Sequence, residues 1–138
     1  MSDLVRLSFS LEQPLNDALE QLVKETGCAN RSELIRNMIR ARLVEQEWER
    51  DEEALATVTL VYNHHQRRLS ERLTHVQHDH HGAILATTHC HLDHDLCAEM
   101  IMIRGPASEI RHIAEELRQQ KGILHASLAM SSTGKKLV

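Results

Sequence analysis

Aromatic residues are scarce in this chain of 138 residues, making up 2% of it, so any hydrophobic core is predicted to be aliphatic. The three cysteines are an odd number that does not fit a disulfide framework and favours reduced thiols. No apolar run approaches the roughly 18 residues of a membrane span, and the N-terminus lacks a signal-peptide pattern. These absences predict a cytoplasmic protein with no membrane contact.

An excess of positive charge is also missing. The net charge of −4 argues against non-specific nucleic-acid binding by bulk attraction, although a local basic patch remains compatible with it. The chain has no phosphate-binding glycine loop, no Ser/His/Asp arrangement and no carboxylate placed as a general base beside an open metal position. We therefore expect neither an enzyme nor a binder of a small-molecule substrate.

The N-terminal part of the chain predicts a strand followed by two helices. Leu4–Ser10 alternates apolar and polar side chains, as a half-buried strand does. Pro14 can open the first helix, and Asn30 with Glu33 forms a capping box for the second. A unit this small buries too little apolar surface to be stable alone, so the strand is expected to pair with another copy of the chain.

The rest of the chain predicts an α+β fold with the ferredoxin-like order β-α-β-β-α-β. Strands are predicted at Thr57–Asn63, Ala83–His91, Cys97–Arg104 and Ile123–Met130, and helices at His65–His75 and from Ser108 to Gln120. Ser108 is predicted to cap the second of these helices. The predicted division is an N-terminal domain over residues 1–48, a charged linker over 49–56, a second domain over 57–131 and a frayed tail over 132–138.

Histidine is abundant, with eleven copies in the chain. In a strand, His89 and His91 point to one face with Cα atoms roughly 6–7 Å apart, while Cys90 points to the other face and is predicted to be packed. Cys97 begins the next strand and returns beside His91. These two histidines and Cys97 are therefore predicted to bind one metal ion, with a fourth ligand from the run 78–81 of the same chain or a neighbour.

The predicted ligands do not determine which metal ion binds. Imidazoles with one thiolate suit Ni(II), Cu(II), Zn(II) or Co(II), of which a planar set favours nickel or copper and a tetrahedral set favours zinc. The simpler alternative is that the run 78–81 is a solvated tract. The remaining histidines are interpreted as ordinary surface residues, with His64, His75 and His94 as possible members of a secondary site.

Four stretches of the chain resemble the NikR family of nickel-responsive repressors: VRLSFS, NRSELIRNMIR, VYNHHQRRL and VQHDHHGAILATTHCHLDHDLCAEMIMIRG. The resemblance extends over nearly the whole length. It implies a ribbon-helix-helix domain, an ACT-like domain and a homotetramer built as a dimer of dimers. It also implies one planar Ni(II) per subunit, held by His89, His91 and Cys97 together with His78 of a neighbouring subunit, and repression of nickel-uptake genes by binding double-stranded operator DNA.

The resemblance assigns further residues. Arg6, Ser8 and Ser10 match the positions that read bases from a β-ribbon in the major groove. The N-terminus of the second helix, near residues 30–32, would hold a backbone phosphate through its free amides. The residues of that terminus are Asn30, Arg31 and Ser32.

Other residues are candidates for supporting roles. Gln77, Tyr62 and Glu99 are placed by position around the metal ligands, where outer partners commonly orient a ligand. The family has a second cation site between its domains, and Glu33 matches one of its acidic residues. Asn37 stands where a carboxylate is often found, which weakens that site.

Two alternatives remain at this point. One is a repressor of the same architecture that answers to Co, Cu or Zn. The other is a metal buffer whose histidines store ions and whose N-terminal strand serves only dimerisation. An Arg6→Ala change separates a repressor from a buffer, because only a repressor would lose affinity for DNA.

Overall fold

The computed structural model describes residues 3–138, and the chain divides into two compact units, Met1–Ala41 and Arg42–Val138. The first unit contains helix α1 (Gln13–Thr26) and the beginning of α2 (Arg31–Glu49). Gly27 ends α1 with a φ of 68°, in the left-handed region that glycine adopts without steric cost. These two helices confirm the helical part of the N-terminal prediction.

A capping box opens α2, as predicted. The side-chain oxygen of Asn30 accepts a hydrogen bond of 2.9 Å from the backbone N–H of Glu33. The Glu33 carboxylate in turn accepts one of 2.6 Å from the backbone N–H of Ala29. Both bonds satisfy amides at the helix start that have no partner within the helix.

The predicted strand Leu4–Ser10 is not formed in the single chain, where residues 3–12 belong to neither a helix nor a strand. The physical reason is that strand hydrogen bonds require a neighbouring strand, and the described part of one chain offers none here. The apolar side chains of the segment stay in solvent, with Leu7 84% and Phe9 60% exposed.

The second unit is a sheet with two helices. Its elements are β1 (Glu53–Asn63), α3 (Leu69–Asp79), β2 (Ile84–His91), β3 (Leu96–Pro106), α4 (Ala107–Arg118) and β4 (Ile123–Ser131). The four strands lie in the order β2-β3-β1-β4, and each neighbouring pair is antiparallel. This order confirms the predicted α+β, ACT-like class.

One face of the sheet forms the core. Every second residue of β1 is buried, and so is every second residue at the start of β3, as period-2 strands require. These side chains pack with the apolar faces of α3 and α4, among them Leu73 and Ile113. The core is aliphatic apart from Tyr62 and Trp48, in keeping with the low aromatic content.

The boundary between the units differs from the predicted one. The predicted linker over 49–56 shrinks to residues 50–52, because α2 runs to Glu49 and β1 begins at Glu53. Trp48 is only 4% exposed, and its Nε1–H donates a 2.9 Å hydrogen bond to the carbonyl of Ser131. The charged residues around Trp48 led to the prediction of a linker, although the Trp48 side chain belongs to the core of the second unit.

Two further segments differ in detail. Helix α3 begins at Leu69 rather than His65, because a turn closes first: the Gln66 N–H donates to the Asn63 carbonyl at 3.0 Å. The tail predicted to be frayed bears two ion pairs, one of them joining Lys135 to Glu53 at 3.0 Å. Among the described residues, no helix is both long and apolar enough to cross a bilayer.

Candidate metal centre

The register between β2 and β3 aligns the predicted ligands of one chain. His91 pairs with Cys97 across the two strands, and His89 pairs with Glu99. Residues paired directly across antiparallel strands share a face of the sheet, so both imidazoles lie on the face of Cys97. That face is the buried one, but β2 is the edge strand of the sheet, and both histidines are exposed.

The two imidazoles lie close together. The ring centres of His89 and His91 are 5.2 Å apart, with the planes at 70° to each other. Cys90, between them, points to the opposite face and is exposed, whereas the sequence predicted a packed thiol. This difference arises because β2 is an edge strand whose residues are exposed on both faces from Leu85 to His91.

Cys97 is fully buried, and its thiol donates to the backbone carbonyl of Tyr62 at 3.5 Å. Burial raises the pKa of this thiol above its ordinary value, with Glu99 adding to the rise and the Tyr62 side chain opposing it. Because a metal binds the thiolate, binding here would release a proton.

A buried carboxylate organises the polar groups behind the imidazoles. Glu99 is 8% exposed and accepts hydrogen bonds from the Tyr62 hydroxyl at 2.9 Å and from Gln77 Nε2 at 3.0 Å. The Thr87 hydroxyl donates to the Gln77 carbonyl oxygen at 2.5 Å. The structure thus brings together Tyr62, Gln77 and Glu99, the three residues predicted to support the site.

Tyr62 connects this network to a predicted ligand. Its hydroxyl oxygen lies 3.4 Å from Nδ1 of His89. Burial raises the pKa of Tyr62, and the hydrogen bond to Glu99 raises it further, so the phenol keeps its proton. A bond of this kind on Nδ1 leaves Nε2 of His89 as the nitrogen available to a metal.

His78 belongs to a helix, whereas the other predicted ligands belong to strands. It is exposed in the last turn of α3, beside a groove that His75 and Thr74 also line. Within residues 3–138 of one chain, the predicted ligand atoms do not come within 4.8 Å of one another as a group. In the single chain, His89, His91 and Cys97 therefore share one face of the sheet, but their ligand atoms do not come together as a group of three.

A second histidine cluster lies next to this face. The ligand nitrogens of His64, His65 and His94 are within 4.8 Å of one another. The ring of His64 also meets that of His91 edge to face, with centres 5.3 Å apart. Sequence reasoning considered His64 and His94 but not His65. The antiparallel pairing of β1 with β3 brings the end of β1 beside the β2–β3 turn. This pairing is the signal that could have identified His65 as a member of the cluster.

The predicted nucleic-acid residues all lie in the first unit. Arg6, Ser8 and Ser10 are exposed on the extended segment. A groove of about 390 Å³ is lined by Ser8, Arg31 and Ser32 among others. The Arg31 guanidinium forms an ion pair with Glu20, and the Asn30 side chain is engaged in the cap of α2.

The residues considered for a second cation site have other partners. The Glu33 carboxylate accepts the hydrogen bond of the capping box, and Asn37 Nδ2 lies 3.8 Å from the sulfur of Cys28. The carboxylate of Glu33 serves a structural role in the described chain, and Asn37 adds no charge beside it.

The residues present on the sheet face fit a transition-metal ion. Two imidazoles and a thiol share one face at paired positions, and a buried carboxylate network orients one of the imidazoles. Soft thiolate and imidazole donors together select ions such as Ni(II), Cu(II) or Zn(II) over Mg²⁺ and Ca²⁺.

Comparison with known families agrees with both units. Residues 55–131 match the model described as the NikR C terminal nickel binding domain, and residues 5–46 match the ribbon-helix-helix protein, copG family. A sheet domain that presents imidazoles and a thiol, combined with a ribbon-helix-helix unit, defines a metal-binding regulator, not an enzyme.

The similar proteins make the assignment specific. Relatives from Geotalea uraniireducens and Geobacter metallireducens are each 46% identical over 138 residues, covering 99% of both chains, and one from Solibacter usitatus is 44% identical with the same coverage. All three bear the name "Putative nickel-responsive regulator". The chain belongs to the NikR family of nickel-responsive regulators, which confirms the resemblance seen in the sequence.

A solved structure supports the fold alone. An uncharacterized protein from Thermotoga maritima superimposes with a TM-score of 0.52 at 12% identity, over 57% of this chain and 98% of that one.

Proposed function

We propose that this protein is a nickel-dependent repressor that binds operator DNA when Ni(II) is bound and thereby represses nickel-uptake genes. The observation that carries the proposal is the register of β2 and β3. It sets His89 and His91 on one face with Cys97, in front of the buried Glu99 network. His89, His91 and Cys97 would each contribute one bond to Ni(II), which would act there as the signal to which the repressor responds.

The fourth donor is His78 of a neighbouring subunit. Its exposed position at the end of α3, outside any group of three close donors among the described residues, supports a contribution in trans. Each subunit then gives three donors to one site and one to another, so the stoichiometry is one Ni(II) per subunit. Metal binding in this arrangement stabilises contacts between subunits.

The unpaired apolar surfaces support a homotetramer arranged as a dimer of dimers. The extended segment exposes Leu7 and Phe9, which a second copy of the strand would cover. The uncovered face of the sheet exposes Met100 and Met102, at 43% and 40%. Two separate surfaces of this kind allow two kinds of subunit contact, one through each unit.

Double-stranded DNA is the proposed partner of the first unit. Two paired segments would form a ribbon whose outward side carries Arg6, Ser8 and Ser10 into the major groove. The start of α2, at Asn30 to Ser32, would meet a backbone phosphate. Metal at the subunit interface favours one arrangement of the two ribbons, and this preference couples nickel binding to DNA binding.

The deciding experiment is a Ni(II) titration followed by DNA retardation. We expect one Ni(II) per chain with the absorption of a diamagnetic planar thiolate, and tighter operator binding in its presence. His89→Ala and Cys97→Ala should abolish both. Cys90→Ala is the matched control, since it removes a neighbouring thiol on the opposite face and should leave affinity nearly intact.

Two results would count against the proposal. A purely six-coordinate nickel spectrum would exclude the four-ligand set. Nickel affinity that survives both His89→Ala and Cys97→Ala would place the site elsewhere. A stronger response to Co(II), Cu(II) or Zn(II) than to Ni(II) would instead identify a repressor with a different effector.

A metal buffer is the second candidate, favoured by the additional cluster of His64, His65 and His94. The Arg6→Ala variant distinguishes the two functions. A repressor should lose operator affinity by about 1–3 kcal/mol, the usual value of a good base contact. A buffer should show no dependence on Arg6.

A further inference from the structure

A separate group of metal-binding side chains lies between the two helices of the second unit. His80 follows the last residue of α3, while His112 and Glu116 occupy successive turns of α4. The Nε2 atom of His80 is 2.8 Å from Oε2 of Glu116, and Nε2 of His112 is 3.8 Å from the same oxygen. The three candidate donor atoms all lie within 4.8 Å of one another.

These separations are close to those of ligands on one ion. Bonds of about 2.0–2.1 Å in a tetrahedral zinc site place neighbouring ligand atoms about 3.4 Å apart. The His80–Glu116 distance would open slightly and the His112–Glu116 distance would close slightly. The change at His112 is a small rotation, because the His112 side chain is 72% exposed and free to turn.

The charge around the group favours a cation. A groove of about 610 Å³ runs beside it between α3 and α4, and Glu71, Asp79 and Glu116 line this groove. Arg72 is the cationic side chain at the groove, and its guanidinium is directed to the carbonyl of Lys121 at 2.5 Å. The groove therefore presents carboxylates to an entering ion.

An ion pair within α3, between His75 and Asp79, is a useful comparison for the group of His80, His112 and Glu116. His75 lies 3.5 Å from Asp79, four residues further along α3, and its side chain is 77% exposed. It belongs to no group of three close donors among the described residues. His80 has instead one partner from another helix and a third donor in reach, and its side chain is only 20% exposed.

From this geometry we propose that His80, His112 and Glu116 form a second divalent metal site, of the class that zinc occupies with two imidazoles, one carboxylate and water. The site draws its ligands from one chain and lies outside the His89–His91–Cys97 face. Occupation ties the end of α3 to α4. This assignment stands or falls independently of the nickel-dependent repressor function.

The test uses the full-length protein with Zn(II) as the probe. The background variant carries Cys97→Ala and His94→Ala, which remove a donor from each of the two other histidine groups of the second unit. We expect equilibrium dialysis to show one Zn(II) retained per chain and a thermal midpoint that rises with added Zn(II). Adding His112→Ala or Glu116→Gln should weaken zinc binding more than about tenfold, because even loss of an outer partner commonly costs 10–100-fold in metal affinity.

His75→Ala is the matched control, since it removes an exposed histidine beside a carboxylate on the same surface. It should leave the zinc affinity of the background variant unchanged. The proposal is overturned if His112→Ala and Glu116→Gln bind Zn(II) as the background does. It is also overturned if His75→Ala weakens binding to the same extent, since zinc would then be held by scattered surface histidines.

Discussion

The Tyr62 hydroxyl is placed between a candidate ligand and a buried charge, 3.4 Å from His89 Nδ1 and 2.9 Å from a Glu99 oxygen. Tyr62→Phe removes this hydroxyl and keeps the ring in the core. We expect nickel affinity, measured by competition with a chelator, to fall about 10–100-fold because the imidazole loses its orienting partner. The free energy of unfolding should fall by about 1 kcal/mol for the lost hydrogen bond.

Nickel affinity and the free energy of unfolding together distinguish a role of the Tyr62 hydroxyl in orienting His89 from a role in stability alone. Cys90→Ala supplies the comparison, because it alters a neighbour of the ligands on the other face of the sheet. If Tyr62→Phe loses stability but binds nickel as tightly as the unaltered protein, the hydroxyl has only a structural role.

Residues that share a strand were predictable from the sequence, and residues that meet across helices were not. The period of two in β2 is enough to place His89 and His91 on one face. The pairing of His80 with Glu116 depends on how α3 and α4 rotate against each other over the sheet. Nothing in the local spacing of either helix determines that rotation, so the sequence did not predict this group.

At the scale of elements, the start of α4 depends on a residue far away in the sequence. Ser108 was predicted to cap this helix, but the structure shows Pro106 at the cap position without a side-chain bond. Asp51 provides the contact instead: its carboxylate accepts 2.7 Å and 2.9 Å hydrogen bonds from the Ser108 backbone N–H and hydroxyl. These bonds lower the pKa of Asp51 below its ordinary value.

This lowered pKa gives a stability that depends on pH. A carboxyl with a folded-state pKa below its unfolded value of about 3.9 contributes full stability above that value and loses it as pH falls through the folded pKa. Asp51→Asn should lower the thermal midpoint at neutral pH and reduce its decline below about pH 4. Asparagine is a suitable replacement because it tolerates the positive φ of 55° at this position.

The fluorescence of Trp48, which lies in the core of the second unit, reports this unfolding. Ser108→Ala is the control, since it keeps the backbone N–H donor and should retain most of the pH dependence. An Asp51→Asn profile that coincides with that of the unaltered protein at every pH would show that the contact contributes nothing.

The elements themselves were largely predictable, and their boundaries less so. The alternation in Thr57–Asn63 identified β1 but not its first four residues, since Glu53 and Ala54 follow a run of charges. The same charges suggested a linker where Trp48 is buried. The charged residues along one face of a helix do not indicate whether a single apolar residue on the opposite face is buried.

At the scale of the whole molecule, the N-terminal segment shows what a single chain lacks. Its alternation predicts a strand, yet strand hydrogen bonds require a second copy, which one chain cannot supply. The proposed metal site is also incomplete in one chain, because the described residues align His89, His91 and Cys97 on one face without bringing three of the proposed ligand atoms within 4.8 Å of one another. Both features agree with the proposed assembly of several copies of the chain.

Phe9 tests the proposed ribbon because it lies on the apolar side of the segment and is 60% exposed in the single chain. We expect Phe9→Asp to abolish operator retardation and to lower the sedimenting mass, since a charge would be buried between paired strands. Nickel affinity should remain, because the second unit holds the ligands. Ser8→Ala, on the other side of the segment, should keep the assembly and weaken DNA binding only modestly. Operator binding by Phe9→Asp equal to that of the unaltered protein would contradict a paired ribbon as the DNA-contacting element.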